Sequence, residues 1–275
     1  MPSGQGSCIG TAKGWSTVIN QYRYTTYARR PDLLGEAREL NGSVWPEFMF
    51  HDAVADRWWD RLEETFAGYQ TMWIDADDHV VAVGNTVPLV WDGAIDHLPV
   101  GWDDAFERAV NDFDAGCAPT TLCAMQATVG RSRQGQGLSR MVLRGMRHRA
   151  AQAGLAALIA PVRPTWKCQY PLAPMERYIR WTQPDGSPFD PWLRTHWRLG
   201  APIVKVADPS MLIASTIADW ETWTKMRFPE SGQYIVPGAL NPIEIDREAD
   251  RGYYIEPNVW MKHQVTEADA VLPGA

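Results

Sequence analysis

The sequence predicts an α/β (α+β) fold in which strands alternate with helices, followed by a turn-rich C-terminal extension. Three stretches carry that prediction. Residues 120–129 are apolar and β-branched, and are bounded by Ala118-Pro119 before and Gly130 after, as a buried strand is. A glycine loop follows, and then Leu138, Met141, Val142, Met146, Ala150 and Ala153 recur at helical spacing up to Gly154, which stands at a C-cap position. Residues 71–75 and 80–91 flank the turn Ala76-Asp-Asp-His79, the pattern of a hairpin. Residues 52–66 set Val54, Trp58, Trp59, Leu62 and Phe66 on one side and Asp56, Asp60, Glu63 and Glu64 mostly on the other, the pattern of an amphipathic helix.

The remaining elements follow in order. Residues 1–19 are rich in Gly and Ser and are expected to be flexible, while 22–27 alternate as a strand does. Residues 31–40 read as a helix stopped by Asn41-Gly42. The acidic stretch 92–118 holds a short helix around 103–111. A strand over 155–162 ends at Pro161 and Pro164, and 165–181 read as a helix that Pro171 and Pro174 interrupt or delay. Residues 192–200 form a short helix, and 203–206 and 211–217 are two strands. Residues 20–219 then make one domain, 220–265 an extension packing on it as a lid, and 266–275 a loose tail.

Composition narrows the function. The chain has 275 residues, is 45% hydrophobic and 21% charged, and carries a formal charge of −7, which argues against a general nucleic-acid binder. No apolar run approaches a membrane span, and the first residues lack the basic and apolar regions of a secretory signal, so a cytoplasmic protein is expected. Cys8, Cys117, Cys123 and Cys168 form no C-x-x-C pair and have no His at ligand spacing, which points to free thiols and no metal site. Fourteen tryptophans are core residues first, with a share left over for an aromatic cleft.

The glycine loop is the chemical signal. Gly135 and Gly137 let the backbone approach a ligand closely, and the helix that follows offers unpaired amides and the positive end of its dipole. Arg131, Arg133, Arg140, Arg144, Arg147 and Arg149 concentrate positive charge there, against the acidic balance of the whole chain, so an anionic ligand is expected. The loop lacks the Gly-Lys-Ser/Thr of a Walker sequence and the third glycine of a dinucleotide fingerprint.

The loop resembles the acyl-CoA loop of the GNAT superfamily of N-acetyltransferases. That family carries Gln/Arg-x-x-Gly-x-Gly/Ala after its fourth strand, and Ser132-Arg-Gln-Gly135-Gln-Gly137 lies over it, with Ser132 departing at the first position and Arg131 or Arg133 able to substitute. Met141-Val-Leu143, Gly154 and the run from Leu155 to Ile159 match the family's next helix and strand, and the resemblance covers roughly residues 20–200. It implies a mixed central sheet flanked by helices, and acetyl-CoA or another acyl-CoA as co-substrate. It also implies a small-molecule amine as acceptor, with no metal, nucleic acid or membrane as partner and with room for a homodimer. The cofactor would lie along Met125, Ala127 and Val129 of the strand and Arg131, Ser132, Arg133, Gln134, Gly135, Gln136, Gly137 and Leu138 of the loop.

The resemblance also implies the catalytic groups. Where the family has Asn-x-x-Ala-x-x-x-Tyr, this chain has Pro171 in place of the Asn and Tyr178 at about the tyrosine, which would protonate the departing thiolate; Tyr170 is the reserve. Many members use a fourth-strand Glu as base, but here that strand offers Gln126, which cannot take a proton. Glu47 or His51 would then serve, in a segment whose Trp45 and Phe48 would shape the acceptor pocket. A second reading of that segment stays open, in which Glu47 caps the next helix and the aromatics are core. Two other functions stay open as well: a module that binds acyl-CoA without turnover, and a tryptophan-lined metabolite- or sugar-binding protein.

Overall fold

Residues 21–272 are described by the computed structural model. The expected flexibility of 1–19, the thiol of Cys8 and the last three residues of the tail lie outside that range. In chain order come β1 (Arg23–Thr26), α1 (Leu34–Gly42), α2 (Ala53–Trp58), α3 (Asp60–Glu64), β2 (Thr71–Ile74), β3 (Val80–Leu89), α4 (Trp102–Asp114) and β4 (Thr121–Val129). Then follow α5 (Leu138–Gln152), β5 (Ala157–Val162), α6 (Met175–Tyr178), α7 (Pro191–Arg198), β6 (Ile203–Ser215), α8 (Ile217–Thr224), β7 (Gly232–Tyr234), β8 (Ile243–Asp246) and β9 (Arg251–Gln264). None of these helices is long and apolar enough to cross a membrane.

All nine strands join one mixed sheet, in the order β1-β2-β3-β4-β5-β9-β8-β7, with β6 on the other edge of β9. Among the described residues only β4 and β5 pair in parallel, joined through α5. The sheet buries both faces because neighbouring residues along each strand point opposite ways. Leu122 and Leu158 pack beneath α5 with Leu138, Met141, Val142 and Met146. Cys123 and Ile159 face the other layer, where α4 contributes Trp102, Ala105, Phe106, Ala109 and Val110, and α3 adds Leu62. The helix over residues 52–66 is present as α2 and α3, which continue one another through Trp59 in right-handed helical conformation.

Four expectations are corrected. The segment 220–265 is not an appended lid: its β9 lies beside β5, pairing Ala157 with Gln264 through to Val162 with Val259. The two strands expected at 203–206 and 211–217 are one strand, β6, paired along β9 with a register shift between Ala207 and Met211. That shift stands opposite Pro257, which removes no ladder hydrogen bond there. The helix expected over 165–181 is reduced to α6 and one 3-10 turn at Lys167–Gln169, as Pro171 and Pro174 dictate. Nor is the tail loose as far as it is described: Asp269 accepts a hydrogen bond from Arg147 of α5 at 2.8 Å, and Leu272 is buried in the cluster beneath that helix.

Candidate active site

The site follows from where the sheet parts. β4 and β5 pair only at Thr121 with Ala157, Leu122 with Leu158 and Cys123 with Ile159. From Ala124 onward β4 keeps β3 on one edge and, among the described residues, has no strand on the other. An isolated strand edge offers unpaired amides and carbonyls to whatever lies along it. A cavity of about 510 Å³ opens there, lined by residues 124–127 of β4, by 160–163 at the end of β5, and by Glu256 and Asn258 of β9. Trp45, Trp59, Trp102 and Trp192 wall it, and His196 of α7 also borders it.

A second cavity, of about 800 Å³, runs from Ala127 along the glycine loop to Arg140. The two share Trp45, Ala127, Arg163 and Trp192, so they meet where β4 has left β5. Gly137 caps α5 with φ +86° and Gly135 has φ +78°, the left-handed region that favours glycine. No side chain caps this helix, so its first amides face the second cavity as an anion site. Arg133 and Arg140 line it too. Burial first, and then the neighbouring charges of Arg198 and Arg144, lower the pKa of Arg140.

Around the first cavity the polar groups form a connected set. Between Asn85–Gln126 and Thr86–Ala124 the pairing of β3 with β4 skips Met125, a bulge that turns its carbonyl to Trp102 Nε1 at 2.8 Å. Buried Glu256 accepts from Arg163 Nε at 3.0 and 2.9 Å, Tyr254 Oη at 2.8 Å and Asn258 Nδ2 at 3.0 Å. Arg163 Nη2 donates to the Gly238 carbonyl at 2.6 Å, and Ser210 Oγ donates to Asn258 Oδ1 at 2.6 Å while accepting from the Trp102 amide at 2.9 Å. That last contact needs Gly101, where an added Cβ would stand 2.2 Å from Ser210 Cα.

Two carboxyls sit behind this wall. Asp52 Oδ1 caps α2 through the amides of Val54 and Ala55, and Asp103 Oδ2 accepts from the Leu212 amide at 3.0 Å. Their other oxygens, Asp52 Oδ2 and Asp103 Oδ1, are buried without a partner. Burial first, and then Asp52, push Asp103 up to about 8; burial first, offset by the two amides, pushes Asp52 up to about 6.

The residues proposed from sequence divide. Met125 lines the first cavity and Ala127 both, while Val129, Arg133, Gln134, Gly135, Gln136, Gly137 and Leu138 line the second. Arg131 and Ser132 line neither: Arg131 Nε donates to the Ser43 carbonyl at 3.1 Å, and the Ser132 carbonyl accepts from Gln136 Nε2 at 3.4 Å. Trp45 lines both, whereas Phe48 is buried against Trp220 and Tyr254, and Met49 and Phe50 take the place at the cavity wall. Glu47 and His51 stand 3.4 Å apart with His51 stacked on Trp223 at 4.0 Å, and neither borders either of these two cavities.

Tyr178 also borders neither cavity. It is 1% exposed, and its hydroxyl donates at 2.9 Å to Asp190, the acid whose other oxygen caps α7 through the amides of Trp192 and Leu193. Burial and then Asp190 raise the phenol well above its ordinary value. The reserve, Tyr170, packs edge-on against Trp181 and also lies outside both cavities. Sequence reasoning missed Arg163, Glu256, Asn258 and His196, which come together from the end of β5, from β9 and from α7. Among the described residues no three His, Cys, Asp or Glu are grouped to hold a metal, and Cys117, Cys123 and Cys168 are free.

Comparisons with known proteins agree with this architecture. No protein-family model matches the chain. It is 33% identical over 275 residues to the arginine N-acetyltransferase avaD of Aspergillus versicolor, an alignment that covers 89% of this chain and 94% of that protein. Its fold is similar to the loading GNATL domain of CurA from Lyngbya majuscula, with a TM-score of 0.58 at 17% identity, covering 90% of this chain and 98% of that one. It is also similar to the GphF GNAT-like decarboxylase in complex with isobutyryl-CoA, with a TM-score of 0.51 at 14% identity over 90% of this chain and all of that one. Fold, loop and full-length relative lead to one conclusion: the chain belongs to the GNAT superfamily and is an N-acetyltransferase.

Proposed function

We propose that the protein transfers an acetyl group from acetyl-CoA to an amine of a small molecule by direct attack in a ternary complex. The observation that carries this reading is the meeting of the two cavities at Ala127 and Arg163. The pyrophosphate would lie on the first amides of α5, with Arg133 and Arg140 beside it, and the pantetheine arm along the open edge of β4. The thioester then reaches the junction. An amine in the tryptophan-walled cavity attacks the thioester carbon, the tetrahedral oxyanion is met by fixed donors, and the C–S bond breaks to release the thiolate. Indole faces and the acidic groups around the cavity suit a cationic side chain, and arginine, on which the relative acts by its name, is the first acceptor to test.

Calorimetry of acetyl-CoA against the protein and against a Gly135→Glu/Gly137→Glu double variant tests the donor half. Micromolar binding that the variant loses supports it; absent binding, or binding the variant keeps, removes it. Release of free thiol with L-arginine and a panel of other amines then tests the acceptor half. A thiol signal with no amine dependence would sink it.

A further inference from the structure

We propose that His196 takes the proton from the acceptor amine and shares it with His263, so that the two imidazoles act as one proton relay between the amine and the departing thiolate. The proposal rests on the reading above in one respect: it needs an amine in the tryptophan-walled cavity.

Three side chains on that cavity are able to accept a proton, namely Asp56, Glu256 and His196. Glu256 has both oxygens committed to Arg163, Tyr254 and Asn258. Asp56 is exposed on the first turn of α2, where water competes for it. His196 is 1% exposed, and its Nδ1 lies 2.9 Å from Nε2 of His263, itself 1% exposed. The two outer nitrogens, His196 Nε2 and His263 Nδ1, are buried without a partner among the described residues. Buried imidazole nitrogens ordinarily find one. An acceptor amine, or a water that it holds, is the partner the Nε2 of a cavity-lining ring lacks.

Counting protons shows what the pair can do. Two neutral rings carry two N–H groups, one in the bond between them and one on the outer nitrogen of the ring that accepts. When His196 Nδ1–H donates, His196 Nε2 is bare. The amine N–H bond then breaks as His196 Nε2–H forms, and the Nδ1–H bond breaks as His263 Nε2–H forms, so that the added charge sits for a moment on His263. Both shifts then reverse: His263 Nε2–H returns its proton to His196 Nδ1 as His196 Nε2–H breaks to protonate the departing thiolate. No step leaves a lasting imidazolium in the core.

The surroundings make that charge short-lived. Burial first, and then His263, lower His196 well below its ordinary value; burial first, and then Arg147, lower His263 to about 4, with Asp269 opposing. The other groups on this side are His148 and Arg147 of α5, both bonded to Asp269, and Trp192, edge-on to His196 at 4.4 Å. A ring that cannot keep a charge must hand the proton on. His196 is the catalytic residue of the pair, and His263 positions it and takes its proton.

The test is kcat from pH 5 to 9 for the wild type, His196→Gln and His263→Gln, with proton inventories in mixtures of light and heavy water. His196→Gln should lower kcat by about 10²–10³-fold, with a residual rate that climbs with pH and an unchanged KM for acetyl-CoA. His263→Gln should lower it by about tenfold and turn the curved, two-proton inventory of the wild type into a straight one. A His196→Gln enzyme within about threefold of wild type, with the same pH profile, overturns the relay and leaves the acyltransfer reading standing. A linear wild-type inventory does the same, even should a variant fail to fold. A wild type that binds acetyl-CoA yet turns over no amine takes both readings down.

Discussion

Arg163→Met should cost more stability than its position at the rim of two cavities suggests. Glu256 has no exposed surface, and Arg163 meets both of its oxygens through Nε at 3.0 and 2.9 Å. Methionine fills most of the volume of the arginine stem but leaves a buried carboxylate without its countercharge, a loss of about 3–5 kcal/mol. For a chain of 275 residues this is a fall in Tm of about 5–9 °C, taking an unfolding entropy of about 2.1 cal/mol/K per residue. The burden lies in the orphaned charge rather than in the lost pair. Arg163→Met/Glu256→Gln should therefore recover most of the loss, because Tyr254 and Asn258 still hydrogen-bond the neutral amide. Urea melts of the wild type, both single variants and the double variant close the cycle. A single variant that loses under 1 kcal/mol, or a double variant no better than Arg163→Met, would refute the reasoning.

Three further outcomes follow from the geometry. Asp103 keeps a proton in the folded protein, up to about pH 8, that the unfolded chain has lost above its ordinary value near 4. The stability this supplies is fully present below that lower value and is lost as pH rises through the upper one, so urea midpoints of the wild type should fall between pH 5 and 9 while those of Asp103→Asn stay flatter. Gly101→Ala drives a Cβ against the backbone of Ser210 and should cost about 1–3 kcal/mol or more in thermal melts, loosening the Ser210–Asn258–Glu256 chain as it does. Tyr178→Phe should keep kcat within about threefold while lowering stability by about 1–2 kcal/mol, since its hydroxyl serves Asp190 and reaches no cavity; a hundredfold loss of kcat would restore it as the acid.

What was legible in the sequence was whatever is local. The strand before Gly130, the loop and α5 announce themselves because the apolar period changes from two to 3.6 across two glycines that must take positive φ. The acceptor side was not, because its parts are distant in the chain: Arg163 and Glu256 are 93 residues apart, and His196 and His263 are 67 apart. Glu256-Pro257-Asn258 imitates a turn, and only the register shift in the facing strand reveals it as the middle of β9. Tyr178 is an aromatic near the end of an expected helix by sequence, and nothing local tells that Asp190, twelve residues on, will claim its hydroxyl. The point where β4 leaves β5 depends on which residues pair, and a sequence pattern does not carry that.

β9 ties the order of folding to the completion of the site. It is the one strand held by β5, β6 and β8 together, across separations of up to 107 residues, and it delivers Glu256 and Asn258 to the cavity. Contacts this distant form late, because the loop between them must close first. Until β9 arrives, a nascent or refolding chain exposes the apolar edges of β5 and β6 to other chains, a stage at which cool, dilute conditions favour correct closure over aggregation.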